Sequence, residues 1–204
     1  MSQTGVRRAG GRQAQRKSSS PKSNLPLIIA GVAGLLIVMV AAGMAFSSRN
    51  ASSDKSQQFP NQVPPPGNPH IVNVTDQHPA YNSNPPTSGW HTGGNIGPWG
   101  VTSEPLPDEI TVHNLEHGGI IIHYRQDLDQ ASLDQLTTLT RQLQQQSPCV
   151  LMLPRPADKL DTPIAVTAWT WLMKLDKVDT AAITGFFRQH VNQGPEQVGC
   201  ALRS

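Results

Sequence analysis

The chain contains only two cysteines, Cys149 and Cys200, and they are far from a Cys-x-x-Cys spacing. That argues against a dithiol redox pair and against a zinc site built from neighbouring thiolates. It leaves one disulfide between Cys149 and Cys200, which outside the cytoplasm would staple the C-terminal tail to a core strand. Other absences narrow the chemistry further. Ser88 has His91 nearby but no Gly-x-Ser-x-Gly turn around it, so nucleophilic catalysis has little support. The glycines between Gly89 and Gly100 lack a following lysine and helix, so no phosphate-binding loop is present. No internal repeat is visible. Residues 1–24 hold no acidic side chain, and residues 25–46, opening at Leu25 and closing at Phe46, hold no charge at all.

What is there divides along the chain. Residues 1–24 carry Arg7, Arg8, Arg12, Arg16, Lys17 and Lys22, whereas from Asn50 onward 9 Lys and Arg face 14 Asp and Glu, a net of −5. The formal +2 of the whole chain therefore averages two oppositely charged parts. It is not the charge of a nucleic-acid-binding face, and no nucleic-acid partner is expected. Residues 25–46 are Leu, Ile, Val, Ala, Gly, Met and Phe with one Pro26 and no polar stripe. At 1.5 Å per residue such a helix spans the roughly 30 Å hydrocarbon core. It is longer than the apolar region of a cleaved signal, which favours a retained anchor. The basic side goes to the cytoplasm by the positive-inside rule. The expectation is a single-pass protein of the cell membrane with a basic cytoplasmic tail (1–24), a transmembrane helix (25–46) and an extracytoplasmic C-terminal part.

Residues 47–79 are rich in Ser, Gln, Asn and Pro and read as an extended spacer, with His70 and His78 solvated in it. Residues 80–204 are long enough for one domain with its own core. Residues 81–107 are dense in Gly, Pro and Asn but hold Trp90 and Trp99, so they read as a long ordered loop. Residues 110–124 read as strand, most clearly at Ile120-Ile121-Ile122-His123-Tyr124. Leu133, Leu136, Leu139 and Leu143 recur at helical spacing, ahead of the break at Ser147-Pro148. Strands are predicted at 149–153 and 163–171, and a last helix is predicted after an Asp179 cap, with Ile183, Phe186, Phe187 and Val191 on one face and His190 packed beside it. The fold class is α+β: a small mixed sheet with β-α-β-β-α order, both helices on one sheet, after the transmembrane helix and the Pro/Gly-rich loop.

The chemistry-bearing segment is Thr111-Val112-His113-Asn114-Leu115-Glu116-His117-Gly118-Gly119. On a helix, His113, Glu116 and His117 at i, i+3 and i+4 would share a face, as in an inverted zinc-peptidase motif. Gly118-Gly119 and the strand formers behind them point instead to an extended segment, with His113 and His117 on one face and Glu116 on the other unless the glycines bend the chain. His91 can fold over from the long loop as a further ligand, with His123 and Met152 as weaker candidates. Imidazole and carboxylate donors suit copper or zinc. The competing reading makes the same groups a buried hydrogen-bonded network tying the loop to the sheet.

Four pieces, Pro85-Pro86-Thr87-Ser88-Gly89, His113-x-Leu115-Glu116-His117-Gly118, the strand at Trp169 and the closing Gly194-Pro195-Glu196, resemble a bacterial family of membrane-anchored extracytoplasmic proteins catalogued as a domain of unknown function. The resemblance covers about residues 81–196 and supports the anchor and the domain boundaries. It implies Tyr81, His91, His113, Glu116 and His117 as motif positions and supplies no activity. His123, Cys149 and Cys200 fall outside its pattern. The leading expectation is an anchored extracytoplasmic domain binding a transition metal through His91, His113, Glu116 and His117, a binding protein rather than an enzyme. Two alternatives stand beside it: an accessory subunit docked on a protein of the cell envelope, and a metallohydrolase.

Overall fold

Ile120-Ile121-Ile122 has no polar residue to alternate with, so a strand there must be covered on both faces. It is. In the computed structural model, which describes residues 55–63, 66–94 and 96–196, β5 (Ile120–Arg125) runs through the middle of a mixed sheet and is buried almost throughout. Its neighbours are β6 (Val150–Arg155), parallel, and β7 (Ile164–Ala168), antiparallel. The edges are completed by β8 (Trp171–Leu175) with β1 (Ser56–Gln58), and by β4 (Gly100–Val101), giving the order β1-β8-β7-β5-β6-β4. A parallel β5–β6 pair needs a crossover, and α2 (Gln130–Gln144) supplies it. Asp129 caps α2 by accepting from Ser132 N at 2.9 Å, and Asp179 caps α3 (Thr180–His190) by accepting from Ala182 N at 2.9 Å. Both helices cover one sheet, as their apolar spacing predicts. Ile120, Ile122, Val150, Met152 and Val166 of that face pack against Leu136, Leu143, Ile183, Phe186 and Phe187.

The opposite face carries the functional region. Ile121, Leu151 and Leu153 pack under Leu115 of α1 (Asp108–Glu116), with Trp99, Leu106 and Trp169 around them. Arg155 of β6 holds the Asp108 carboxylate through Nη1 and Nη2, 2.5 and 3.1 Å, and so ties the start of α1 to the sheet.

Three expectations need correction. Residues 110–124 are not one strand: Asp108–Glu116 is helix, and only Ile120–Arg125 is strand. Helix wins because Pro107 precedes it with φ −56°, Asp108 and Glu109 sit at the positive end of the helix dipole, and the segment is buried on all sides from Thr111 to Glu116. The strand predicted over 163–171 is a hairpin, β7 turning at Trp169-Thr170 into β8, with Thr170 at φ 64°. No Gly, Pro or Asn marks that turn. Finally, part of the supposed spacer is built into the sheet: β1 pairs with β8, and Phe59 packs on Leu160, Ala165 and Leu172. The basic tail, the apolar run 25–46 and Cys200 lie outside the described residues. Cys149 is buried on the sheet. Among the described residues no helix is long and apolar enough to cross a membrane.

His123 provides a test of the buried sheet. Its Nε2 lies 3.1 Å from Thr167 Oγ1, and burial, followed by the nearby Arg155 charge, holds its pKa well below the ordinary 6.5. The unfolded chain therefore takes up a proton at this site at a pH where the folded chain does not. Stability is lost as pH falls below about 6.5, by at most about 1.4 kcal/mol per pH unit for this one group. Urea unfolding from pH 7.5 to 5 is expected to show that loss, and His123→Gln is expected to make the slope shallower. An unchanged slope in the variant would show that His123 is already charged in the fold.

Candidate metal centre

Because α1 is a helix, His113, Glu116 and His117 lie on one side of it, not on two sides as an extended chain would place them. The His113 and His117 rings stand edge to face with centroids 4.6 Å apart. The helix ends at Glu116, with His117 as its cap. Gly118 takes φ 80°, and its N–H bonds Leu115 O at 2.9 Å. A second chain segment closes over that end: Asn192 N donates to Gly118 O at 2.8 Å and Glu196 N to Glu116 O at 3.1 Å. This brings Glu196 Oε2 to 3.2 Å from His117 Nε2. The approach is close enough that a Cβ on Gly118 would lie 2.7 Å from Asn192 Cα. The His-x-Leu-Glu-His-Gly segment and the Gly-Pro-Glu segment are thus two halves of one joint.

His91 arrives from the other side. The loop Pro85–Gly89 is buried, Thr87 O accepts from Thr170 N at 2.9 Å, and Gly89 at φ 118° turns its carbonyl onto His91 Nδ1 at 2.8 Å. That bond sets the ring, and Nε2 lies 2.7 Å from Glu116 Oε2. Tyr81 donates to the adjacent Trp90 O at 2.6 Å. Burial, then the charges of Glu109 and Asp108, push its pKa up, so it stays a neutral strut. β3 (His91–Thr92) pairs in parallel with β2 (His70–Ile71), placing His70 opposite His91. His70 Nε2 is 3.6 Å from the same Glu116 Oε2. Two donor groups result, each with its ligand atoms within 4.8 Å of one another: His113, Glu116, His117 and Glu196; and His70, His91 and Glu116. Both could hold a metal ion. Burial pushes the Glu116 carboxyl upward, but the His91 hydrogen bond and the charges of His91, His70 and His113 outweigh it and hold the pKa below 4.5.

The sequence model of a family described as "Protein of unknown function (DUF3105)" matches residues 73–201. The chain belongs to the DUF3105 family. No curated protein and no solved structure matches it.

In this DUF3105 protein the four residues singled out from the sequence, His91, His113, Glu116 and His117, converge on one region, with Glu116 between the two groups. The weaker candidates do not join them. His123 is bonded to Thr167, and Met152 faces the other side of the sheet, where its sulfur accepts from Thr140 Oγ1. His70 is exposed, as expected, although its Nε2 reaches toward Glu116; His78, also expected to be solvated, is packed. His78 stacks on Trp90 with rings 15° apart and pairs with Glu109 at 3.1 Å. Desolvation lowers its pKa, but Pro79 O and the Glu109 carboxylate raise it by more. His190 packs against Trp171 and Phe186, as its position on α3 predicts. Sequence reasoning missed His70 and Glu196 as donors. Nothing local marks His70, whereas Glu196 stood in the Gly-Pro-Glu segment of the family resemblance and could have been found there.

A buried asparagine holds the joint between helix and loop. Asn114, 0% exposed, accepts from Gly97 N at 2.7 Å and donates to Gly97 O at 3.0 Å. Asn114→Ala would leave both buried Gly97 groups without their partner. The expected cost is about 2–4 kcal/mol in urea unfolding. A loss below about 0.5 kcal/mol would mean that water replaces the amide and that the loop is not held through it.

Proposed function

We propose that this protein is a single-pass, membrane-anchored extracytoplasmic domain that binds a transition metal ion through His113, Glu116, His117 and Glu196, with His91 bonded to Glu116. The observation that supports the reading most is the helical face: two imidazoles and a carboxylate on consecutive turns of α1, met by Glu196 at 3.2 Å from His117. Imidazole and carboxylate without thiolate suit zinc or copper(II). The anchor rests on the uncharged run 25–46 behind six basic residues, and the −5 of the remainder argues against nucleic acid.

The helix also favours a second reading, a metallohydrolase, because the inverted zinc-peptidase motif needs His113, Glu116 and His117 on one helical face. In that chemistry the glutamate must be available to take a proton from water. Glu116 Oε2 is instead engaged by His91 at 2.7 Å and the residue is 6% exposed. Metal binding is the better supported of the two.

The test is metal content of the full chain purified in mild detergent, as isolated and after titration with zinc and with copper. At least one ion per chain is expected, lost in His113→Ala and His117→Ala while circular dichroism stays native. No stoichiometric metal, and none taken up, would overturn the reading. Protease protection of residues 80–204 in sealed membrane vesicles tests the orientation.

A further inference from the structure

His91 is the most buried ligand candidate and the most completely positioned. Its Nδ1 contacts the Gly89 carbonyl at 2.8 Å, and a carbonyl accepts only, so Nδ1 carries the proton. A histidine whose Nδ1–H is fixed on a backbone carbonyl presents Nε2 as a lone pair, the arrangement found around metal-bound imidazoles. Here Nε2 meets a carboxylate oxygen at 2.7 Å, also an acceptor when ionised. That contact requires either a proton held by one of the pair or a metal ion bound by both. His70 decides which is better served by the fold. The parallel pairing of β2 with β3 sets its ring edge-on to His91 with centroids 4.9 Å apart, and its Nε2 faces the same Glu116 oxygen. A salt bridge between His91 and Glu116 requires no second imidazole there, whereas a metal ion uses it. The His70 side chain is 43% exposed, which gives an ion a route in and leaves solvent to complete its coordination.

We propose that a second metal ion binds at His70 Nε2, His91 Nε2 and Glu116, and that Glu116 bridges it to the ion held by His113, His117 and Glu196. The inference rests on the metal reading above and extends it from one ion to a carboxylate-bridged pair. Glu116 belongs to both donor groups and is the member they share. Its two oxygens can serve one ion each, the usual way in which a carboxylate holds two divalent ions about 3.5–4 Å apart. Glu116 and Glu196, with four neutral imidazoles, supply two negative charges against four positive ones, so the remaining +2 would be met by hydroxide or other small anions entering at the His70 edge.

Zinc stoichiometry of the full chain in detergent separates this inference from its parent. The wild type should bind two zinc ions per chain, and His70→Ala should bind one. His70 is chosen because it is partly exposed, so its loss spares the fold. His91→Ala, checked by circular dichroism, should match it. A copper-loaded sample should show spin coupling between the two ions, lost in His70→Ala. One ion in the wild type, lost in His113→Ala and His117→Ala but kept in His70→Ala, would overturn the bridged pair and leave the single-ion reading standing; one ion lost in His70→Ala instead would overturn both, and two ions retained by His70→Ala would overturn the bridged pair. No zinc at all would overturn both.

Discussion

Gly194→Ala is expected to destabilise the protein by more than about 3 kcal/mol, although it adds one methyl group. A Cβ at Gly194 would lie 2.1 Å from Glu116 O, 2.3 Å from Gly118 N and 2.7 Å from Glu116 C. All three are backbone atoms at the end of α1, so no side-chain rotation can make room. The segment carrying Gly194 must lift away, which breaks the Asn192–Gly118 and Glu196–Glu116 backbone bonds and withdraws Glu196 from His117. Gly185, inside α3, makes the matched control. Nothing lies within 4 Å of a Cβ built there, so Gly185→Ala gains helix propensity without a clash and should stabilise by about 0.5–1 kcal/mol. Urea unfolding of the two variants beside the wild type reads both. Opposite signs are expected, and a Gly194→Ala protein within about 0.5 kcal/mol of wild type would mean that the 192–196 segment does not dock on the helix end.

The parts of this fold that could be read from the sequence are those whose burial follows a simple pattern along the chain. The leucines of α2 all enter one core cluster with the sheet and α3, so their spacing shows, and Asp179 caps α3 through a bond to Ala182 N within its own turn. The run at Ile120 is covered on both faces and reads as an unbroken apolar strand. α1 is different. It is enclosed by the sheet, the loop at Gly97, the Pro85–Gly89 loop with His91, and the 192–196 segment, so its polar residues are buried beside its apolar ones and no stripe forms. Its start was nevertheless written in Pro107-Asp108-Glu109, a helix-opening pattern that the strand reading passed over. The same distinction separates the donors. His91, His113, Glu116 and His117 stand in dense local motifs. His70 becomes a donor only through pairing with a strand beyond the Pro85–Gly89 loop, and Glu196 only through the clearance that Gly194 provides.

Glu116→Gln should have the largest effect on metal binding of any single substitution, because it keeps the shape of the side chain and removes the one charge common to both donor groups. Loss of an outer-shell partner costs about 10- to 100-fold in metal affinity, so loss of a shared first ligand should exceed about 100-fold at each site. The metal-free protein should respond in another direction. Glu116 has its pKa held below 4.5 by His91, His70 and His113, so its ionised form adds stability that is present above about pH 4.5 and lost as pH falls through the folded pKa. Gln cannot titrate, and the variant should lack that acid-dependent portion. A glutamine can still place an oxygen or an amide near His91 Nε2, so the loop position should survive. Zinc titration and acid unfolding, run on the same metal-free preparations, therefore separate two roles for one carboxylate. If Glu116→Gln binds zinc as the wild type does, Glu116 is a strut for His91 and not a ligand. If zinc affinity collapses while the neutral-pH fold stays intact, the carboxylate is there for the ion.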